Sequence, residues 1–89
     1  MKIMAVCGHG IGSSFMMDMN IKKVLKKLDV DAEVEHTDLA SVNANDADLF
    51  VMANDIADSS GLPKDKILVI KNIVGTKELE EKLSAYFNQ

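Results

Sequence analysis

The chain has 89 residues, of which 47% are apolar, enough for one compact domain and too few for two. Ten basic and 14 acidic side chains give a formal charge of −4. With no block of like charge, this balance excludes the basic face that a nucleic-acid grip requires. No apolar run approaches the length of a membrane span, and Met1 to Val6 lack the layout of a secretory signal, so a cytoplasmic location is expected.

Lys2-Ile3-Met4-Ala5-Val6 is a short apolar run that stops at a glycine cluster, as a buried strand feeding a tight loop does. Three of the five glycines of the chain stand in that one turn, Cys7-Gly8-His9-Gly10-Ile11-Gly12-Ser13-Ser14. From Ser13 to Leu28 the pattern becomes helical, with Met17, Ile21, Val24 and Leu28 on one face and Ser13 or Ser14 available as the cap. Lys22, Lys23, Lys26 and Lys27 form the basic cluster of the chain, which reads as a solvated helix face. Phe15, Met16 and Met19 lie away from the apolar face, beside those lysines. An exposed apolar patch there would suit docking of partners, and the alternative is that Phe15 tucks under the loop.

After the break at Asp29-Val30-Asp31, Ala32 to Thr37 reads as a charged strand at a sheet edge. Asp38 to Asp46 suits a loop or one helical turn. Leu49-Phe50-Val51-Met52-Ala53 is wholly apolar, as a central parallel strand covered on both faces must be. Asn54 to Pro63 leaves room for a short helix around Ile56 to Ser60. Lys66 to Ile70 is a fourth strand, and Gly75 and Thr76 introduce a last helix with Leu79, Leu83, Tyr86 and Phe87 on one face. Alternating strands and helices imply a single α/β domain over residues 1–89, with four parallel strands in the order 2-1-3-4 and helices on both sides. In that order the turn after strand 1 stands at a topological switch point, where open α/β sheets bind ligands.

A strand, then a cysteine, then alternating glycines and two serines opening a helix has a physical purpose. Gly8, Gly10 and Gly12 let the backbone curl so that its N–H groups point inward as a nest for an anion. The amino end of the following helix adds partial positive charge and unpaired donors. Together they favour negative charge on the Cys7 sulfur and a phosphoryl group attached to it, with the Ser13 and Ser14 hydroxyls as further donors. The bland reading is that a lone cysteine is a small buried hydrophobe. Two common phosphate motifs fail on spacing: a Walker loop needs Lys where Gly12 stands, and a dinucleotide fingerprint needs Gly at Ser13. A cysteine-dependent phosphatase loop needs Arg at the sixth position after the cysteine, and that position is also Ser13. A metal site made of Cys7 and His9 lacks further ligands, so none is expected. Asp55 and Asp58 follow strand 3 on the same rim, and Lys71 ends strand 4 there. All three are more simply read as solvated or turn-capping residues.

The cysteine turn and the order of elements resemble the sugar-specific enzyme IIB subunits of the bacterial phosphoenolpyruvate-dependent phosphotransferase system. Cys-Gly-x-Gly-x-Gly-Ser-Ser is most similar to the ascorbate-type branch, with the galactitol type next. The lactose and cellobiose branch has Ser after the Cys and a Met-Ser-Thr-Ser ending, which this chain lacks. The resemblance implies a phosphatase-like fold in which Cys7 is the nucleophile and Gly8, His9, Gly10, Ile11, Gly12, Ser13 and Ser14 form the phosphate cradle, His9 occupying a variable place. It also implies a IIA phosphodonor, a IIC membrane partner that delivers the sugar, no cofactor, and a monomer when alone. A small phosphatase or arsenate-reductase relative, and an anion-binding or redox-sensing module, are the alternatives.

Overall fold

A computed structural model of the chain describes residues 1–7, 11–71 and 76–88, with side chains left out at 11–14 and 55. In chain order the elements are β1 (Lys2–Cys7), α1 (Ile11–Leu28), β2 (Glu33–Asp38), β3 (Leu49–Ala53), α2 (Asn54–Ala57), a 3-10 turn (Lys64–Lys66), β4 (Ile67–Ile70) and α3 (Lys77–Phe87). The strands form one parallel sheet in the order β2-β1-β3-β4, as expected.

The apolar run of β1 is buried because the strand lies inside the sheet with both faces covered. By alternation, Ile3 and Ala5 face α1 and α3, while Met4 and Val6 face the other way. On the first face Met17, Ile21, Val24 and Leu25 of α1 and Leu79 and Leu83 of α3 close the main core, with Leu28, Tyr86 and Phe87 packed at its border. Each such aliphatic side chain removed from water contributes about 1.5–3 kcal/mol. The opposite face is covered more thinly. There Met4, Val6, Phe50 and Met52 meet Ile56 and Ala57 of α2 together with Leu39, Val42, Ala47 and Leu62 from loops. The third layer is thus mostly loop, since a helix of four residues cannot cover a sheet alone.

Several boundaries differ from the sequence expectation. Cys7 is the last residue of β1 rather than the first of the turn. Helix α1 begins at Ile11, two residues before the expected start, so Ser13 and Ser14 lie inside its first turn and do not cap it. Gly12 tolerates helical dihedrals, so the glycine pattern did not delay the helix. Helix α2 follows β3 without a break, spanning Asn54–Ala57 instead of the region around Ile56 to Ser60. At the far end of α1, Asp29 takes a left-handed conformation (φ 58°), Val30 N–H donates to Leu25 O at 2.9 Å and Asp29 N–H to Lys26 O at 3.3 Å. This double closure is a Schellman stop made with Asp in place of the usual Gly.

Strand β2 is the exposed edge anticipated from its charges. Lys2 of β1 reaches across to Glu33 and Glu35 on it. The ammonium donates to Glu35, and this bond holds the Lys2 pKa above its ordinary 10.5.

Candidate active site

Cys7 stands at the carboxyl end of β1, which has β2 on one side and β3 on the other, so the connections after β1 and after β2 run in opposite directions along the sheet. It therefore occupies the switch point of the sheet. By alternation with Ile3 and Ala5 its side chain belongs to the α1 face. It is 8% exposed and makes no disulfide. Its carbonyl accepts the Leu39 N–H at 2.9 Å, and in register it is paired with Asp38 at the end of β2. The Asp38 carboxylate accepts the Ser41 N–H at 2.8 Å and so closes its own turn beside the cysteine.

Of the expected cradle, Gly8, His9 and Gly10 lie outside the described residues. Ile11, Gly12, Ser13 and Ser14 are described as the opening backbone of α1. The amides of Ile11, Gly12 and Ser13 fall in the stretch whose N–H groups have no acceptor within the helix. The first turn of α1 contains no acidic residue, so nothing on the helix itself neutralises those donors. A helix start that follows a cysteine after three intervening residues, with no acid in its first turn, can hold an anion attached to the sulfur.

Phe15, Met16 and Met19 are 47%, 44% and 47% exposed, so the alternative in which Phe15 tucks under the loop does not hold. Its ring instead stacks on His36 of β2, centroids 5.9 Å apart and planes 6° from parallel. Sequence reasoning missed His36 and its partner Asp18. Asp18 is 4% exposed although it lies on α1 beside exposed residues. Its Oδ2 accepts from His36 Nδ1 at 2.7 Å, and Oδ1 meets Lys22 Nζ at 2.9 Å as an ion pair lacking an aligned hydrogen bond among the described residues. A carboxylate removed from water needs such partners. Two signals could have found this pair: Asp18 is the one acid in α1, and His36 is in step with Val34, which faces the core.

Asp58 ends α2 and lines a groove with Ala57, Gly61, Leu62, Lys64, Ile67 and Val69. The side chain of Asp55 lies outside the described residues. Lys71 is exposed, and its backbone N–H donates to both Glu78 carboxylate oxygens at 2.9 and 3.0 Å. No group of three or more His, Cys, Asp or Glu side chains suited to a metal occurs among the described residues. No described helix is long and apolar enough to cross a membrane.

Two solved structures share this fold over 99% of the chain and 95% of their own length. One is the lactose-specific IIB component domain of the phosphoenolpyruvate:carbohydrate phosphotransferase system from Streptococcus pneumoniae, with a TM-score of 0.61 and 15% identity. The other is a low molecular weight protein tyrosine phosphatase from Bacillus subtilis, with a TM-score of 0.60 and 17% identity. Among curated proteins, the ascorbate-specific PTS system EIIB component of Mycoplasma pneumoniae is 26% identical over 85 residues, 92% of this chain and 90% of that protein. The family model described as "PTS system, Lactose/Cellobiose specific IIB subunit" matches residues 2–85. The chain therefore belongs to that IIB family and is a sugar-specific phosphotransferase component of the phosphotransferase system.

Proposed function

We propose that residues 1–89 form a single IIB domain that relays a phosphoryl group on Cys7. The observation that carries this reading is the position of Cys7, at the end of an inner strand and separated by three residues from an acid-free helix start. In the first step the Cys7 sulfur attacks the phosphorus of a phosphohistidine on the IIA partner. The S–P bond forms as the N–P bond breaks, and the thiol proton ends on the donor's imidazole nitrogen. In the second step a sugar hydroxyl presented by the IIC partner attacks the same phosphorus. The O–P bond forms, the S–P bond breaks and the hydroxyl proton returns to sulfur.

The helix-start amides, with Gly8 to Ser14 as the cradle, stabilise the charge on the phosphoryl oxygens in both steps. Neither step needs a metal or nucleotide. All ten basic residues are lysines, so no arginine anywhere in the chain can fill the place it holds in a phosphatase loop. That favours transfer between carriers over transfer to water. The work is done in the cytoplasm, at the inner face of the membrane where IIC resides. The sugar is of the ascorbate or galactitol type, a branch supported by the sequence of the cysteine turn and by the curated ascorbate-specific relative.

The test is the intact mass after incubation with phosphoenolpyruvate, the general phosphotransferase proteins and IIA subunits of the ascorbate, galactitol and lactose types in separate samples. One added phosphate is expected with the ascorbate or galactitol donor and none in Cys7→Ser. Gain with the lactose donor alone contradicts the branch. Steady hydrolysis of an aryl phosphate that depends on Cys7 contradicts the relay.

A further inference from the structure

The described residues include four exposed large apolar side chains, and three of them, Phe15, Met16 and Met19, stand on the opening turns of α1. Side chains at i, i+4, i+7 and i+11 fall on one stripe of a helix. Phe15, Met19, Lys22 and Lys26 make such a stripe, apolar at the end nearest Cys7 and basic farther along. The whole chain is acidic, yet α1 carries four lysines against one acid, and that acid is buried. Lys27 is engaged by Glu80 at 3.0 Å and Lys22 by the buried Asp18 at 2.9 Å, which leaves Lys23 and Lys26 as the positive flank.

The apolar end of this stripe is held in place. Phe15 lies flat on His36, and Asp18 fixes the His36 ring at its edge by accepting its Nδ1–H, so Nε2 is directed away from the carboxylate. With Nδ1 committed, the half-exposed ring offers a flat face to Phe15 and a polar edge to a visitor. Side chains already fixed lose less freedom on association, which is what a contact surface gains from pre-organisation.

We infer that Phe15, Met19 and His36, braced by Asp18 and bordered by Lys23 and Lys26, are the docking face for the phosphodonor protein, which presents an apolar patch edged by carboxylates beside its phosphohistidine. This deepens the relay assigned to Cys7 and rests on it. The charge argues for the donor over the membrane acceptor. A loaded donor arrives carrying an anionic phosphoryl group, whereas the acceptor's reacting group is a neutral hydroxyl. A positive flank beside the receiving sulfur speeds the approach of the loaded donor. Once the phosphoryl group has moved to Cys7 the donor has lost that charge and leaves more readily. A small apolar centre with a charged border matches the compact interfaces of transient partners.

The experiment measures the rate of phosphorylation by phosphorylated ascorbate-type IIA as the concentration of this chain is varied. Wild type is compared with Phe15→Glu/Met19→Glu, with Lys23→Gln/Lys26→Gln, and with Lys64→Gln/Lys77→Gln, which removes the same charge elsewhere. Circular dichroism and the rate of Cys7 alkylation confirm that each variant is folded with its thiol accessible as in wild type. The double Glu variant is expected to raise KM by about tenfold or more, equivalent to about 1.4 kcal/mol of binding, with kcat within about twofold. The α1 lysine variant is expected to flatten the salt dependence of kcat/KM, while the Lys64/Lys77 variant leaves it as in wild type. Unchanged KM and salt dependence in both α1 variants overturns the inference. So does a defect that appears only in transfer from this chain to sugar through the membrane partner. If wild type itself gains no phosphate from any IIA subunit, the relay has failed and the docking face falls with it. That outcome is visible before any variant is made.

Discussion

Helices α1 and α3 pack on the same face of the same sheet, yet their amino ends are arranged in opposite ways. The first turn of α3 carries Glu78 and Glu80, and the Glu78 carboxylate accepts the backbone N–H of Lys71 while pairing with Lys82 at 3.3 Å. Its helix dipole is answered by its own side chains. The first turn of α1 carries no acid and follows Cys7 after three residues. Their outer faces differ as well. Among the described residues, the large apolar side chains of α3 are buried or half-buried, whereas α1 leaves Phe15, Met16 and Met19 in solvent. The lesson is that α3 is finished by the fold, while α1 keeps an acid-free start and an exposed apolar stripe, the two features on which the proposed relay and docking face rest.

The largest effects should separate what each helix does for stability. Ile21→Ala in α1 and Leu83→Ala in α3 each remove a side chain with no exposed surface. Each is expected to cost about 2–5 kcal/mol in a urea melt. Met19→Ala, on the open side of α1, is expected to change stability by less than about 0.5 kcal/mol. A Met19→Ala loss as large as that of Leu83→Ala would mean that the exposed methionine belongs to the core, and the contrast between the helices would break.

A sharper test gives α1 the amino end of α3. Ser14→Glu places an acid in the first turn of α1. It is expected to raise stability by about 0.3–1 kcal/mol. The same charge should slow phosphate gain by on the order of tenfold, as like charge is set against the phosphoryl group. A more stable protein that accepts phosphate at the wild-type rate would show that the open helix start has no part in transfer. The converse change acts at the other helix. Glu78→Gln is expected to cost about 0.3–1 kcal/mol and to leave phosphate gain unaltered.

The features that were legible in the sequence are those written in periodicity and punctuation. The wholly apolar Leu49 to Ala53 strand, the i, i+4 face of Met17 and Ile21, and the charged edge strand each follow from one local pattern, and their order is enough to yield the 2-1-3-4 sheet. The position of Cys7 at the end of a buried strand was legible because an apolar run that stops at a glycine cluster marks a strand feeding a turn. The pair Asp18 and His36 was not, because it depends on the register that sets β2 beside β1 and α1 above both, with His36 opposite Ala5. No spacing within one element encodes that meeting. The serine caps were misplaced for a local reason. Serine prefers a cap but tolerates the first turn, and the helix starts where the backbone first turns rather than where the best capping residue stands.

The central claim is that the phosphoryl group rests on sulfur. Trypsin cleavage after Lys2 and Lys22 releases residues 3–22, which contain Cys7 together with the other candidates His9, Ser13 and Ser14. Fragmentation of that peptide after brief reaction with phosphorylated IIA, kept near neutral pH, locates the added phosphate. Phosphate on Cys7, with iodoacetamide blocked at that residue until sugar and the IIC partner are supplied, is the expected result. Phosphate on His9, Ser13 or Ser14 with Cys7 still open to alkylation would contradict the relay on Cys7.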